Sequence, residues 1–403
     1  MSWSVRSLSE IADFVLGKML DQAKNRGEPL PYLANVNVRW GEFDLSDLRE
    51  MRYEPHEMER YGLISGDIVM CEGGEPGRCA LWKGQRESMM IQKALHRIRP
   101  HVGLDSTFLY YAFLNIGKQN GFAPFFTGAT IKHLPREQLA RVPIRFPEWP
   151  EQKAIAAVLS SYDDLIATNQ RRIALLEDAA RRLYREWFVH LRFPGYESVP
   201  VKEGVPEGWC KKPMTSVADF VNGFAFKPEH LGESGLPVVK IPELRSGITS
   251  KTPYNSGNIV PQRNHINTGD VLFSWSATLL VNEWGEGPAL LNQHLFKVIP
   301  HNELHKRLVR FAVEAAIPEL TGHAVGATMQ HIRRSALDNH LMLVPDDTTA
   351  ATFAAQADPM MDAILNLTAQ NRELAKARDL LLPKLMSGQL DVSGIRLPDE
   401  VAA

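Results

Sequence analysis

The chain repeats itself in order. Ala12-Asp13-Phe14-Val15 and Gly17 recur as Ala218-Asp219-Phe220-Val221 and Gly223, an offset of 206. Pro31, Val38, Arg39 and Gly41 match Pro237, Leu244, Arg245 and Gly247 at the same offset. Gly66–Met70 returns as Gly269–Phe273 at 203, and Gln92–Pro100 parallels the run NQHLFKVIP that ends at Pro300. Gly128-Ala129-Thr130, followed by His133 and Leu134, returns as Gly326-Ala327-Thr328 with His331 and Ile332 at 198. The order holds while the offset shrinks, which is the signature of a tandem duplication with short loop deletions. Such a chain folds as two versions of one unit.

Each copy is a mixed block followed by a helix. Gly-Asp steps lead into the apolar runs Asp67–Met70 and Asp270–Phe273, a turn-then-strand pattern. With 28 Gly, 26 Pro and short helical stretches near 106–117 and 303–316, each block is predicted to be an α+β domain of about 140 residues. The blocks are placed at 1–148 and 209–346, the helices at 149–192 and 347–390, and a Pro/Gly-rich linker at 193–208. Residues 391–403 form a C-terminal tail.

The helices carry a heptad seam. From Ile155 through Leu159, Tyr162, Ile166 and Asn169 to Trp187 the steps alternate four and three, as they do from Phe353 through Ala357, Met360 and Asn371 to Leu385. Each series covers 33 residues, about 50 Å of helix. Arg378 interrupts the second seam, and Pro359 predicts a kink or a later start. If the helices run antiparallel with centres aligned, Ile155 meets Leu385 and Asn169 meets Asn371. In a parallel pairing each asparagine would meet an aliphatic side chain and lose hydrogen bonds, at about 1–3 kcal/mol. The seam therefore predicts an antiparallel coiled coil with register set by Asn169 and Asn371, and a pseudo-twofold relation of the blocks. A stripe of ordinary globular core is the other reading of the same spacing. A pseudo-twofold pair of blocks suits separated half-sites on a duplex.

Composition excludes less than the pattern does. Forty-five basic against 47 acidic residues give a net charge of −2, so no strongly basic chain announces nucleic-acid binding, although Lys and Arg can still gather on one face. Three scattered cysteines fit neither a disulfide framework nor a zinc site. No apolar run is long enough to span a bilayer, and the opening MSWSVRSLSEIADF lacks a signal-peptide core, so a cytoplasmic location is expected. The phosphate-loop, zincin and nucleophile-elbow motifs are absent, as are an NPPY-type tetrapeptide and a cofactor-binding glycine loop. Glu72–Gly77 is glycine-rich but acidic, and would repel phosphate.

The order block, helix, block, helix resembles the DNA-specificity subunit of type I restriction–modification systems. The residues that carry the likeness are Gly269–Ser276 (GDVLFSWS), Leu291–Val298 (LNQHLFKV), Glu151–Ile155 (EQKAI) and Arg378–Leu385 (RDLLLPKL). In the first copy CEGGEPGRCALW replaces the aromatic stretch, which fits two different half-sites. The resemblance implies a non-catalytic chain with two target-recognition domains, reading a bipartite, asymmetric duplex DNA sequence. It implies two copies of an adenine methyltransferase subunit using S-adenosylmethionine, a motor endonuclease subunit, and no cofactor on this chain.

Arg39 and Arg245 hold matched positions where a guanidinium can pair with guanine, or with a surface carboxylate. Lys132 and His133, and their counterparts Gln330 and His331, follow the Gly-Ala-Thr motif and are candidate donors to phosphate or base edges. The same motif also reads as a turn and cap with histidine packed behind it. Trp40 and Trp275 read more readily as core than as base-stacking residues. Two further classes stay open on the residues alone: a stand-alone DNA-binding or scaffold protein, and a nuclease whose site is dispersed.

Overall fold

The computed structural model describes residues 3–21, 25–322, 332, 334–392 and 394. The chain divides into two units: residues up to Leu165 together with those from Leu374 onward, and Ile166–Glu373.

In the first unit, strands Ala12–Leu16, Leu95–Pro100, Ile68–Cys71 and Cys79–Leu81 form an antiparallel sheet in that order. A second sheet sets Glu28–Leu33 between Arg49–Tyr53, antiparallel, and Met90–Ile91, parallel. Ser4–Ser7 pairs with Pro143–Phe146. The run Ile68–Cys71 is apolar at every position because the sheet is covered on both faces. Ile68 and Met70 enter the core built on Phe108, Leu109 and Phe113 of helix Ser106–Lys118, while Val69 and Cys71 enter another around Trp82 and Leu33.

The second unit repeats this plan. Strands Ala218–Asn222, Leu295–Pro300, Val271–Ser274 and Leu280–Glu283 form the antiparallel sheet. Leu236–Val239 lies between Tyr254–Asn255 and the parallel Ala289–Leu291, with His265–Ile266 outermost, and Cys210–Pro213 pairs with Leu341–Val344. Val271 and Phe273 face one core and Leu272 the other. The repeated glycines have a shared cause. A Cβ on Gly17 would lie 2.4 Å from the Gln92 carbonyl oxygen, and one on Gly223 2.1 Å from that of Asn292, so only glycine lets the backbones close there.

Helix Trp149–Tyr184 is followed by a π turn at Arg185–Val189, and the second long helix is Asp347–Met386. The segment 193–208, expected to be a plain linker, holds the short hairpin Val201–Lys202 with Val205–Pro206, and Phe193 is buried against Trp209. The second helix starts at Asp347 and runs through Pro359, so the later start that the proline suggested does not occur. Phe353, Ala357, Met361 and Ile364 are buried in one core on both sides of the proline. That burial offsets the lost hydrogen bond, about 3 kcal/mol.

Each unit contains an antiparallel pairing of the two helices. In the first, Ile155 and Leu159 share a core with Leu382 and Leu385. Arg378, the interruption of the seam, is ion-paired with Asp163, whose other oxygen accepts from the Tyr111 hydroxyl at 2.6 Å. In the second, Trp187 lies 5.8 Å from Phe353 between ring centroids, and the Asn169 Nδ2–H donates to Asn371 Oδ1 at 2.9 Å. Asn169 is buried, and the Asn371 amide donates on to the Ile166 carbonyl. We expect Asn169→Leu to cost about 1–3 kcal/mol by orphaning the Asn371 amide, and Asn169→Leu/Asn371→Leu to recover most of that loss. Denaturant unfolding of the four-member cycle checks this. An unchanged register in the double variant would remove the case for the asparagines as its determinant.

Candidate nucleic-acid interface

Three loops of the first unit converge. In the first, the turn Asn35–Asn37 is held by the Asn37 side chain, which accepts from the Ala34 N–H and donates to the carbonyls of Asp44 and Asp47. Past the buried Val38, Arg39 projects half-exposed, with Asp44 only at 4.0 Å. Such an exposed pair contributes little and is easily exchanged for another acceptor. Trp40 departs from the expected core position: it is 36% exposed, and its Nε1–H donates to Glu75 at 2.7 Å. Its ring lies so close to Gly117 that a Cβ there would sit 2.3 Å from it.

The second loop is Glu72–Arg78. Arg78 donates to Glu75 at 3.0 Å and to the backbone and side-chain oxygens of Asn35. The Glu75 carboxylate is thus held between Trp40 and Arg78. The repulsion of phosphate expected from this acidic run is partly cancelled by its own arginine.

The third loop carries the Gly-Ala-Thr motif. Thr127 and His133 exchange two backbone hydrogen bonds of 2.9 Å, closing the loop at its base. Gly128 has φ +92°, and a Cβ there would lie 2.2 Å from the Ile131 carbonyl oxygen, which accounts for the glycine. The Leu134 N–H donates to the Glu72 carbonyl at 2.7 Å, and the Leu134 carbonyl accepts from His96 Nε2 at 2.9 Å. His96 is fully buried, and burial holds its pKa below the usual histidine value. The imidazole of His133 is not packed in the core. His133 is exposed and lies against Gly73, where a Cβ would meet its Nδ1 at 2.9 Å. Lys132 is exposed, its Nζ 6.0 Å from the centre of the Phe126 ring. Trp40, Pro76, Phe126, Ile131 and Lys132 line an open hollow of about 580 Å³, with Ile131 66% exposed on its rim. The hollow joins apolar and aromatic surface to one cationic donor and the Glu75 carboxylate, which is itself held by Trp40 and Arg78, a combination that can meet base edges and thymine methyls.

In the second unit the Ile332 N–H donates to the Trp275 carbonyl at 3.0 Å, the bond that matches Leu134 on Glu72. Trp275 packs partly buried on Phe296, a core role. Arg245 is exposed on the short helix Ile241–Ser246. Gln330 and His331 lie outside the described residues. The structure thus brings Trp40 and Lys132 into one hollow, with Arg39 next along the chain and His133 on the same loop as Lys132. Phe126 and Ile131 were not singled out from the sequence, although both flank the repeated motif. Among the described residues no group of His, Cys, Asp and Glu is arranged to hold a metal ion, and no helix is long and apolar enough to cross a membrane.

Two versions of one α+β block, each built with segments of two long antiparallel helices, define a duplicated α+β protein. The same fold occurs in a type I restriction–modification S subunit from M. genitalium, with a TM-score of 0.58, 15% identity and 96% of each chain covered. Residues 2–178 match the family model of the type I restriction modification DNA specificity domain. The MjaIX specificity subunit of Methanocaldococcus jannaschii is 25% identical over 97% of this chain and 94% of its own length. The MjaVIII specificity subunit of the same organism is 23% identical over 81% and 80%. Over nearly its whole length the chain is thus similar to type I restriction–modification specificity subunits, and its first 178 residues contain the match to the DNA specificity domain of that family.

Proposed function

We propose that the chain reads a bipartite, asymmetric duplex sequence, one half with each block, and positions catalytic partner subunits on it. The observation that carries this reading is the duplication itself. The two blocks share sheet order and glycine positions, but differ in the side chains their loops present: Glu72–Arg78 in the first and an aromatic Ser-Trp-Ser stretch in the second. A shared scaffold with divergent loops reads two different sequences. Lys132, His133 and Arg39 in the first block, and Arg245, Gln330 and His331 in the second, are the side chains we assign to DNA. Asn169 and Asn371 are assigned to helix register. The partners are two copies of an adenine methyltransferase subunit, supplied with S-adenosylmethionine, and a motor endonuclease subunit. This chain binds no cofactor of its own. The domain limits we propose remain 1–148 and 209–346 for the recognition blocks.

Phosphate contacts give salt-sensitive affinity without sequence preference, and groove contacts discriminate at about 1–3 kcal/mol per base. Sequencing of adenine methylation in the native host, with and without the gene, tests the proposal. We expect one bipartite motif to lose its methylation and regain it on complementation. An unchanged methylation pattern, in a host where the partner subunits are expressed, would refute the reading.

A further inference from the structure

The first block holds a second concavity, of about 510 Å³, between strands Ala12–Leu16 and Leu95–Pro100 and helix Pro55–Tyr61. His56, Arg60, Arg97, Arg99 and Arg136 line it, with the carboxylates of Asp13 and Glu59. Comparison of the two blocks shows what is unusual here. Asp67 and its match Asp270 each accept from a backbone N–H three residues earlier, at 2.8 Å, and each needs a cation. In the second block Lys297 supplies it at 2.8 Å, while also donating to the His265 carbonyl. In the first block the residue matched to Lys297 is Arg97, which donates to the corresponding Gly62 carbonyl at 3.1 Å and to that of Glu59 at 2.8 Å. Its carboxylate, however, has been taken by Arg99 through bonds of 2.7 and 2.9 Å, where the second block has Ile299.

Arg97 is therefore a displaced cation. It is 6% exposed, is in no ion pair among the described residues, and its Nε is buried without an acceptor. Burial pushes its pKa below the usual arginine value. A buried guanidinium without a counter-ion is costly, and an anion in the pocket would relieve that cost. Arg60 and Arg136, each exposed and resting on an aromatic face, Tyr61 and Phe14, are also in no ion pair among the described residues. Of the two carboxylates, Asp13 faces His101 at 3.4 Å.

We infer that this pocket of the first block receives a phosphodiester of the DNA backbone. The inference rests on the DNA-recognition reading. Guanidinium forks match phosphate oxygens, and Arg136 stands three residues after His133, at the end of the loop assigned to base edges. A strand read by that loop carries its phosphates past Arg136.

The test uses the complex formed with co-expressed partner subunits, carrying Arg60→Gln/Arg136→Gln, with Arg97 kept because it ties the turn at Glu59 and Gly62. Affinity is measured on the target duplex and on a scrambled duplex between about 50 and 200 mM salt. Both affinities should fall by a similar factor, and the slope of log K on log salt should become shallower by about one, near 0.9 for one phosphate contact. Arg60→Lys/Arg136→Lys should keep the steep slope. Unchanged affinity and slope would overturn the inference. So would a variant that sheds its methyltransferase while the intact fraction binds DNA normally, since the pocket would then serve an acidic protein surface. A wild-type complex with no preference for target over scrambled duplex would instead refute the recognition reading on which the inference stands.

Discussion

Replacing residues 1–148 with the corresponding block of a type I specificity subunit should, on the proposed function, rewrite one half of the methylated sequence and leave the other half intact. The expectation follows from where the cores lie. The strands of the first block pack on Phe108, Leu109 and Phe113, and the loops at Arg39–Trp40, Glu72–Arg78 and Thr127–His133 are tied to one another by hydrogen bonds within the block. No side chain of the second unit is needed to shape the hollow between them. Each mismatched base costs about 1–3 kcal/mol, roughly additively, so three altered base pairs should slow methylation of the old target by about a hundred-fold or more. The graft must keep one contact set: Leu382, Leu385, Met386 and Val392 share the first core, and Tyr111 bonds Asp163. A donor block should therefore retain a tyrosine at that position. Methylation sequencing of cells carrying the chimera reads the outcome, and thermal unfolding of the purified complex separates a misfolded graft from a silent one. A change in both halves of the motif would end the modular account.

The features that were legible in the sequence are local or periodic. Asp67–Met70 and Asp270–Phe273 show turn-then-strand directly, and the positive φ of Gly66 and Gly269 is what the Gly-Asp step supplies. The facing of Asn169 and Asn371 follows from heptad arithmetic once the helices are taken as antiparallel. What was illegible is non-local. Arg378 read as a flaw in the seam, because its partner Asp163 lies one residue off the heptad stripe and only a long side chain reaches it. Trp40 read as core, since its partner Glu75 is 35 residues away, and the flat seat provided by Gly117 has no sequence signal. The arginines of the second concavity come from three separate segments between Arg60 and Arg136, and no spacing rule joins them. The later helix start that Pro359 suggested does not occur, because burial on both sides of the proline outweighs its lost hydrogen bond.

The largest loss of stability from a single substitution is expected at Arg307. It enters the first turn of helix Lys306–Gly322 with only 4% of its side chain exposed. Its guanidinium is ion-paired with Glu283, at the end of strand Leu280–Glu283, and donates to Asp362 at 2.8 Å, with Asp358 at 3.5 Å. One side chain thus joins a sheet edge, a block helix and the second long helix within one core. Burial pushes the Glu283 carboxyl above its ordinary value, against the pull of Arg307, Arg310 and Lys306. In Arg307→Met the carboxylate loses its main counter-ion while staying buried, and we expect a loss of about 3–5 kcal/mol in urea unfolding near neutral pH. The pH dependence has a definite sign. A carboxyl whose folded pKa is raised contributes its stability below the unfolded value and loses it as pH rises through the folded value. The deficit of Arg307→Met should therefore shrink as pH falls toward the ordinary glutamate value of 4.5. Arg307→Met/Glu283→Leu removes both charges from the core, and should recover most of the loss at neutral pH. If Arg307→Met instead unfolds within about 1 kcal/mol of wild type, Glu283 is already neutral in the native protein. The link from sheet edge to long helix would then rest on the exposed carboxylates of Asp358 and Asp362, where the contribution of an ion pair is small.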